Sequence, residues 1–290
     1  YLNHADPGWQ PDLLDAIGLA DLPARASLPA RAQPIGAPAG PLTAEAAAEL
    51  GLTTACMVGI GLIDAHAGGL ALLGGRGPEA LNRSLAMIAG TSACHMAVSA
   101  DPRSVHGVWG RYCGAMLLGE WLNEGGQSAT GALLDHVLDW HAEGRGLGPD
   151  RHAHVSAAIA DRLRQHGPGF VDGLRVLPDF NGNRSPLADP LARGRIEGLT
   201  LDASFDSLLR LYYAAAIGIA LGTRQIIAAL NRAGYAIDRL HLTGGHAASP
   251  ILPRLYADAT GCTVVLTPQA DSVLLGTACV AARAAGLYPD

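Results

Sequence analysis

Residues 240–250 read Leu240-His241-Leu242-Thr243-Gly244-Gly245-His246-Ala247-Ala248-Ser249-Pro250, and this stretch decides the fold class. Four residues of strand character run into two glycines. A helix is expected over 251–260, with Ser249 as its cap and Pro250 at its first position. A second strand follows at 263–266 and a second helix at 272–285, closed by Gly286. Strands alternating with helices in this way predict an α/β protein. The paired glycines let the backbone approach a ligand, and a helix N-terminus beyond them can hold a nucleotide. An ordinary strand-to-helix loop with good capping accounts for the same residues equally well.

Working back towards the N-terminus, residues 206–232 form one long pattern that is apolar nearly all round, as in a buried helix of a large core. A short apolar run at 174–177 precedes the loop Pro178-Asp179-Phe180-Asn181-Gly182-Asn183-Arg184-Ser185-Pro186. Within 121–141, Leu133, Leu134, Val137, Leu138 and His141 fall at helical spacing. Two strand-like runs, 85–89 and 93–99, flank Gly90-Thr91-Ser92 and predict a hairpin. Residues 55–63 are continuously apolar and end in Asp64, which predicts a buried strand delivering a carboxylate at its C-terminal end. Residues 65–73 read as a helix ending at Gly74-Gly75, and 76–84 as a hinge between domains. The first fifty residues are rich in Pro and Ala, with short helices expected at 11–17 and 43–50, the second capped by Thr43.

Composition closes several classes. The chain has 290 residues, 49% hydrophobic and 16% charged, enough for a sizeable core in one large or two modest domains. All twenty basic residues are Arg, so no mechanism built on a Schiff-base, P-loop or protein-kinase lysine is available. A net charge of −6 with scattered Arg predicts no nucleic-acid partner. The five cysteines include no C-x-x-C pair and read as a reducing compartment. Residues 55–63 and 211–223 are the longest strongly apolar runs, shorter than the about 20 residues a bilayer span needs. The opening Tyr1-Leu2-Asn3-His4-Ala5-Asp6 has no Met and no secretory pattern, so a cytoplasmic protein read from mid-sequence is expected.

Three constellations carry chemistry. Gly59-Ile60-Gly61-Leu62-Ile63-Asp64 imitates a dinucleotide fingerprint, but its third glycine position is Asp64, whose charge repels a pyrophosphate. Asp64 is instead a candidate catalytic carboxylate, with a helix N-cap as its plain alternative, and His66 lies two residues on. Gly90-Thr91-Ser92 offers backbone amides and two hydroxyls to phosphate oxygens, or is simply a polar turn. Gly244, Gly245 and Ser249 form the third. His152-Ala153-His154 suggests a metal by spacing alone, yet lacks neighbouring ligands and reads as a solvated pair.

Taken in this order, the carboxylate, the Gly-Thr-Ser hairpin and the late Gly-Gly loop resemble the FGGY family of carbohydrate kinases. Asp64-Ala65-His66, Glu124-Gly125-Gly126-Gln127-Ser128-Ala129, Asn181-Gly182-Asn183-Arg184-Ser185-Pro186 and Gly222-Thr223-Arg224 are similar to its ribulokinase branch, whereas glycerol kinases carry Asp-Gln at the first site. The resemblance implies an actin-like, ribonuclease H-like α/β fold with ATP and sugar between two lobes. It implies that Asp64 is the general base, that Asp64 and His66 face the sugar, and that Gly90, Thr91 and Ser92 hold the β/γ-phosphates. Gly131, Gly244, Gly245 and Ser249 fall on the adenosine side, and Mg²⁺ bridges the phosphates without any metal ligand assigned to this chain. The family often has Asn where Ser249 stands, and the Asp-x-Gly-Thr-x-Ser loop of its first lobe has no counterpart here. Residues 1–80 are therefore expected to be the tail of the sugar-binding lobe, and 81–290 a nearly complete nucleotide-binding lobe. The expected activity is phosphorylation of a ketopentose or related polyol, ribulose foremost, as part of a longer kinase. Other expectations are a xylulose or glycerol kinase, or a non-catalytic nucleotide-binding module. The chain alone is expected to be inactive and to self-associate through the apolar run at 55–63, with no membrane partner.

Overall fold

The computed structural model describes residues 8–268 and 271–287, so the opening residues read above for a leader lie outside the described part. Two short helices come first, α1 (Pro11–Ala16) and α2 (Leu22–Arg25), each with a proline in its first turn, where its missing N–H costs nothing. Strand β1 (Pro38–Pro41) then leads to α3 (Ala44–Leu50), whose Thr43 Oγ1 accepts the Ala46 amide at 3.2 Å as the sequence predicts. β2 (Met57–Gly59) returns antiparallel to β1. The buried strand expected over 55–63 is a correction. Only three of those residues are strand, Met57 and Val58 are exposed, and 60–63 are irregular. An apolar run is buried only when elements cover both of its faces, and a two-stranded ribbon covers neither.

After α4 (Asp64–Leu73), helix α5 (Pro78–Asn82) occupies the segment expected as a hinge and buries Leu81. The sheet strands β3 (Ser84–Ala89), β4 (Ala93–Ser99), β5 (Trp109–Cys113) and β6 (Trp121–Gln127) follow. The helical spacing within 121–141 therefore holds only from α6 (Gly131–Trp140) onwards. Next come α7 (Ala142–Arg145), α8 (Arg151–His166) and a small hairpin of β7 (Arg175–Leu177) with β8 (Arg195–Glu197). The long helix α9 (Phe205–Arg232) precedes the alternation β9 (Arg239–Thr243), α10 (Leu252–Thr260), β10 (Thr263–Leu266) and α11 (Ser272–Ala284). By length and composition α9 could cross a membrane, but 67% of its most apolar stretch is buried inside the protein, the habit of a core helix.

Six strands form one mixed sheet in the order β10-β9-β3-β4-β6-β5. β10, β9 and β3 run parallel, and β3, β4, β6 and β5 are antiparallel to one another. Strand alternation assigns the two faces. Leu85, Met87, Ala93 and Ala97 pack with α6, α8, α9 and α10, while Ala86, Met96 and Val98 pack with Leu72 and Leu73 of α4 and Leu81 of α5. On this second face α11 lies across α4, with Gly276 so close to the Ala67 backbone that no Cβ fits between them.

Candidate functional site

The β3–β4 register pairs Ala89 with Ala93 and leaves Gly90, Thr91 and Ser92 as the turn. The Gly90 amide bonds the Ser92 carbonyl at 2.9 Å. The carbonyls of Gly90 and Thr91 point into the start of α6, accepting from the Gly131 amide at 2.9 Å and from the Thr130 and Ala132 amides at 3.0 and 3.1 Å. The Thr130 hydroxyl adds a fourth bond, to Gly90, at 2.9 Å. A Cβ on Gly131 would stand 2.6 Å from the Gly90 oxygen, so this close docking requires glycine. The turn is thereby clamped through its acceptors, while the Thr91 and Ser92 hydroxyls have no partner among the described residues.

Across from it, β9 ends at Thr243 and Gly244 turns with φ +85°, where any Cβ would strike the Ala89 carbonyl. Gly245 is different: its φ is ordinary, and a Cβ there would meet nothing within 4 Å. Its glycine is not demanded by the fold. Residues Gly245–Ala248 make one 3-10 turn, and α10 starts at Leu252 with Pro253 in its first turn. The expected helix start at Pro250 is thus corrected by two residues, because the extra turn takes up the chain. Ser249 Oγ still accepts the Ile251 and Leu252 amides, each at 3.4 Å. Replacing Gly244 by Ala is expected to lower stability by roughly 1–3 kcal/mol, through left-handed backbone strain and the collision with Ala89. Thermal unfolding measures this, and an unchanged melting temperature would refute it.

These two loops face a cavity of about 370 Å³. Gly90, Thr91, Gly131, Gly245 and Ser249, five of the residues expected to bind nucleotide, line it together, and Ser92 and Gly244 adjoin them in the chain. Leu134, Pro250 and Leu252 supply apolar wall. His152 belongs to this wall too, with its side chain still 42% exposed. Its Nε2 lies 2.9 Å from Asp135 Oδ1 and its Nδ1 2.9 Å from the Tyr212 hydroxyl, with Arg151 also paired to Asp135. Burial pushes the Tyr212 phenol up to about 12, so it stays a neutral donor. Among the described residues no group of three or more His, Cys, Asp or Glu could hold a metal ion.

Asp64 is the exposed first residue of α4, and its Oδ1 accepts the Ala65 amide at 2.7 Å. It does not line the cavity described above. His66 faces inward and is only 1% exposed, which places its imidazole out of reach of solvent. Its Nε2 donates to Glu124 Oε2 at 3.0 Å, and Arg184 Nη2 donates to Glu124 Oε1 at 2.9 Å. The Arg184 guanidinium also lies over the Trp109 ring, 4.2 Å from its centre. Gly126 makes room for it, since a Cβ there would stand 2.7 Å from Arg184 Nε. Burial pushes the Glu124 carboxyl up, but the His66 hydrogen bond and the charges of His66 and Arg184 outweigh it and hold the group below its ordinary value. A second buried chain runs from His95 Nε2 to the Thr223 hydroxyl and on to Gln127 Oε1, each step 3.0 Å. Burial pushes His95 down to about 3, so it bonds as a neutral ring. Three motifs far apart in sequence, at 64–66, 124–129 and 181–186, are therefore one physical cluster. Sequence reasoning missed the Glu124–His66–Arg184 contact; the available signal was a carboxylate followed directly by two glycines.

Residues 85–285 match the sequence profile described as "FGGY family of carbohydrate kinases, C-terminal domain". An FGGY carbohydrate kinase domain-containing protein of Danio rerio is 44% identical over 97% of this chain and 55% of its own length. A D-ribulokinase of Saccharomyces cerevisiae is 33% identical over 97% of this chain and 44% of its own. Among solved structures, a xylulose kinase from Rhodospirillum rubrum superposes with a TM-score of 0.72 at 28% identity, over 95% of this chain and 51% of that one. The fold is accordingly the actin-like α/β fold that the motifs predict. The chain spans about half the length of the curated relatives it matches.

Proposed function

Because the chain belongs to the FGGY family of carbohydrate kinases, we propose that it supplies the nucleotide-binding part, and the general base, of an ATP-dependent kinase for a ketopentose or related polyol. The convergence of Gly90, Thr91, Gly131, Gly245 and Ser249 on one cavity carries this reading. Ribulose is the favoured acceptor, supported by the ribulokinase relative and by the motifs shared with that branch. The xylulose kinase among the solved structures supports xylulose as the second choice. Residues 81–290 form the nucleotide side, and residues 1–80 carry Asp64 on the sugar side.

In this reading, Thr91, Ser92 and the turn amides hold the β- and γ-phosphates, and Gly244, Gly245 and Ser249 flank the adenosine. The acceptor hydroxyl oxygen forms a bond to the γ-phosphorus as the bond to the β,γ-bridging oxygen breaks. ADP leaves, and the hydroxyl proton passes to Asp64. His66, buried against Glu124, serves the sugar side by holding the helix that starts at Asp64. Mg²⁺ neutralises phosphate charge in such transfers. The described residues contain no group of three or more His, Cys, Asp or Glu to hold it. The protein acts in the cytoplasm on a small-molecule sugar.

Gly245 is the most direct test of the nucleotide side. Gly245→Val fills open space and leaves the fold intact, so its melting temperature should match wild type. Its affinity for ATP should fall about tenfold or more, the scale of roughly 1–3 kcal/mol for a misplaced branched side chain. Isothermal titration of the 290-residue chain at millimolar ATP measures the loss, and equal affinity in both proteins would sink the assignment. A coupled ADP-release assay with ribulose, ribitol, xylulose and glycerol tests the sugar side. The chain alone is expected to show no sugar-dependent turnover. Turnover at an ordinary kinase rate would overturn the division into sugar and nucleotide sides.

A further inference from the structure

We infer that Asp135 reads the ribose of the nucleotide, its Oδ2 accepting a hydrogen bond from a sugar hydroxyl, and that His152 is the positioning residue that holds it there. The inference rests on the reading of the 370 Å³ cavity as the nucleotide site. Asp135 and His152 both line that cavity, and their side chains are 46% and 42% exposed, so a ligand can reach them. Asp135 Oδ1 is doubly engaged, accepting from His152 Nε2 at 2.9 Å and from Arg151 Nη2. An ionised carboxylate only accepts, so the proton of the His152 bond sits on Nε2. The imidazole is tied at its other end too, where Nδ1 lies 2.9 Å from the hydroxyl of the buried Tyr212. Burial pushes the Asp135 carboxyl up, but the hydrogen bonds from His152 and Arg151 outweigh it and hold the group below its ordinary value. Asp135 Oδ2 has no hydrogen-bond partner among the described residues.

Position along α6 selects the part of the nucleotide that this oxygen meets. The Gly131 amide bonds the Gly90 carbonyl of the turn assigned to the phosphates, and Asp135 lies four residues on, hence on the same helix face. The step is about 6 Å along the helix axis. A nucleotide leaving that turn presents its ribose next and its base beyond. A ribose hydroxyl is a donor, and its bond to an ionised carboxylate is charge-assisted. Arg151 offsets the charge of Asp135, which tempers its repulsion of the phosphates. A deoxyribose would set a C–H against the same oxygen. A site built to bond a hydroxyl discriminates against the analogue that lacks it.

The test compares affinities of the 290-residue chain for ADP, 2′-deoxy-ADP, 3′-deoxy-ADP and N6-methyl-ADP by isothermal titration. At least one deoxy analogue should bind about tenfold more weakly than ADP, the scale of a hydrogen bond to a charged group. Asp135→Ala should erase that preference. His152→Ala should shrink it, whereas a merely structural role would weaken both nucleotides alike and leave their ratio unchanged. If both deoxy analogues bind like ADP, or Asp135→Ala keeps the full preference, the inference is wrong and the nucleotide reading stands. If N6-methyl-ADP is the weak analogue whose deficit Asp135→Ala erases, the carboxylate reads the base and the inference is equally wrong. If no adenine nucleotide binds at millimolar concentration, the nucleotide reading fails and the inference falls with it. The analogue series on the wild-type protein can overturn the inference alone, so the outcome does not depend on either variant folding.

Discussion

Asp64→Asn is expected to slow phosphoryl transfer by about 10²–10⁴-fold, the range lost with a general base, when measured in an enzyme of the relatives' full length that contains this chain. The substitution isolates chemistry from folding unusually well. Asp64 is exposed, and its one hydrogen bond is to the Ala65 amide, which the Asn side-chain oxygen can accept equally. The melting temperature should stay within a few degrees. Asp64 does not line the 370 Å³ cavity proposed for the nucleotide, so ATP affinity should also hold. Single-turnover rates give the decisive number. A rate within a few-fold of wild type would remove Asp64 from the base role, whatever the steady-state constants show.

Glu124→Leu is expected to cause a large loss of stability. It strands the Arg184 guanidinium and the His66 Nε2–H in the interior, where Glu124 now accepts from both. Breaking one partner out of a buried charge pair costs about 3–5 kcal/mol. For a chain of this size that is a fall in melting temperature of roughly 6–20 °C. Glu124→Gln keeps one acceptor and should cost less. Adding Arg184→Met to Glu124→Leu should recover part of the loss, since an apolar replacement of the whole pair is far milder than half of it. The pH dependence follows from the depressed carboxyl of Glu124. Its unfolded form binds protons at higher pH than the folded form. The contribution is therefore fully present above the ordinary glutamate value of 4.5 and fades as the pH falls through the lower folded value. Wild-type stability should drop more steeply below that pH than Glu124→Gln stability, and parallel curves would contradict the assignment.

What could be read from the sequence was what local signals determine. Thr43 capping α3, the apolar pattern of α9 and the alternation from Arg239 to Ala284 each need only neighbours in the chain, and each is found. The Gly90-Thr91-Ser92 turn was legible for the same reason. Strand β6 was not. Trp121-Leu122-Asn123-Glu124-Gly125-Gly126-Gln127 carries a charge and two glycines, poor strand material by propensity. It lies inside the sheet because β4 and β5 flank it, and because its carboxylate meets partners 58 and 60 residues away. The apolar run at 55–63 misled in the opposite sense: its composition is that of a core strand, yet Met57 and Val58 are exposed. Burial of a segment depends on what covers it, and sequence spacing does not report that. The cavity was legible as separate loops, and its closure by His152 and His246 was not, because a histidine's partners are set by tertiary contacts.

The packing of α11 over α4 fixes an order of events during synthesis. Gly276 seats against Ala67, Val273 against the space beside Gly68, and Arg283 Nη1 reaches the Ile35 carbonyl at 2.5 Å. Helix α4 leaves the ribosome about 200 residues before its partner, on the order of 10–40 s at ordinary elongation rates. The sheet and α9 can assemble in that interval, but α4 has only one of its two walls until α11 arrives. Asp64 at its tip therefore takes its final address last, after the Gly90-Thr91-Ser92 turn between β3 and β4 has formed.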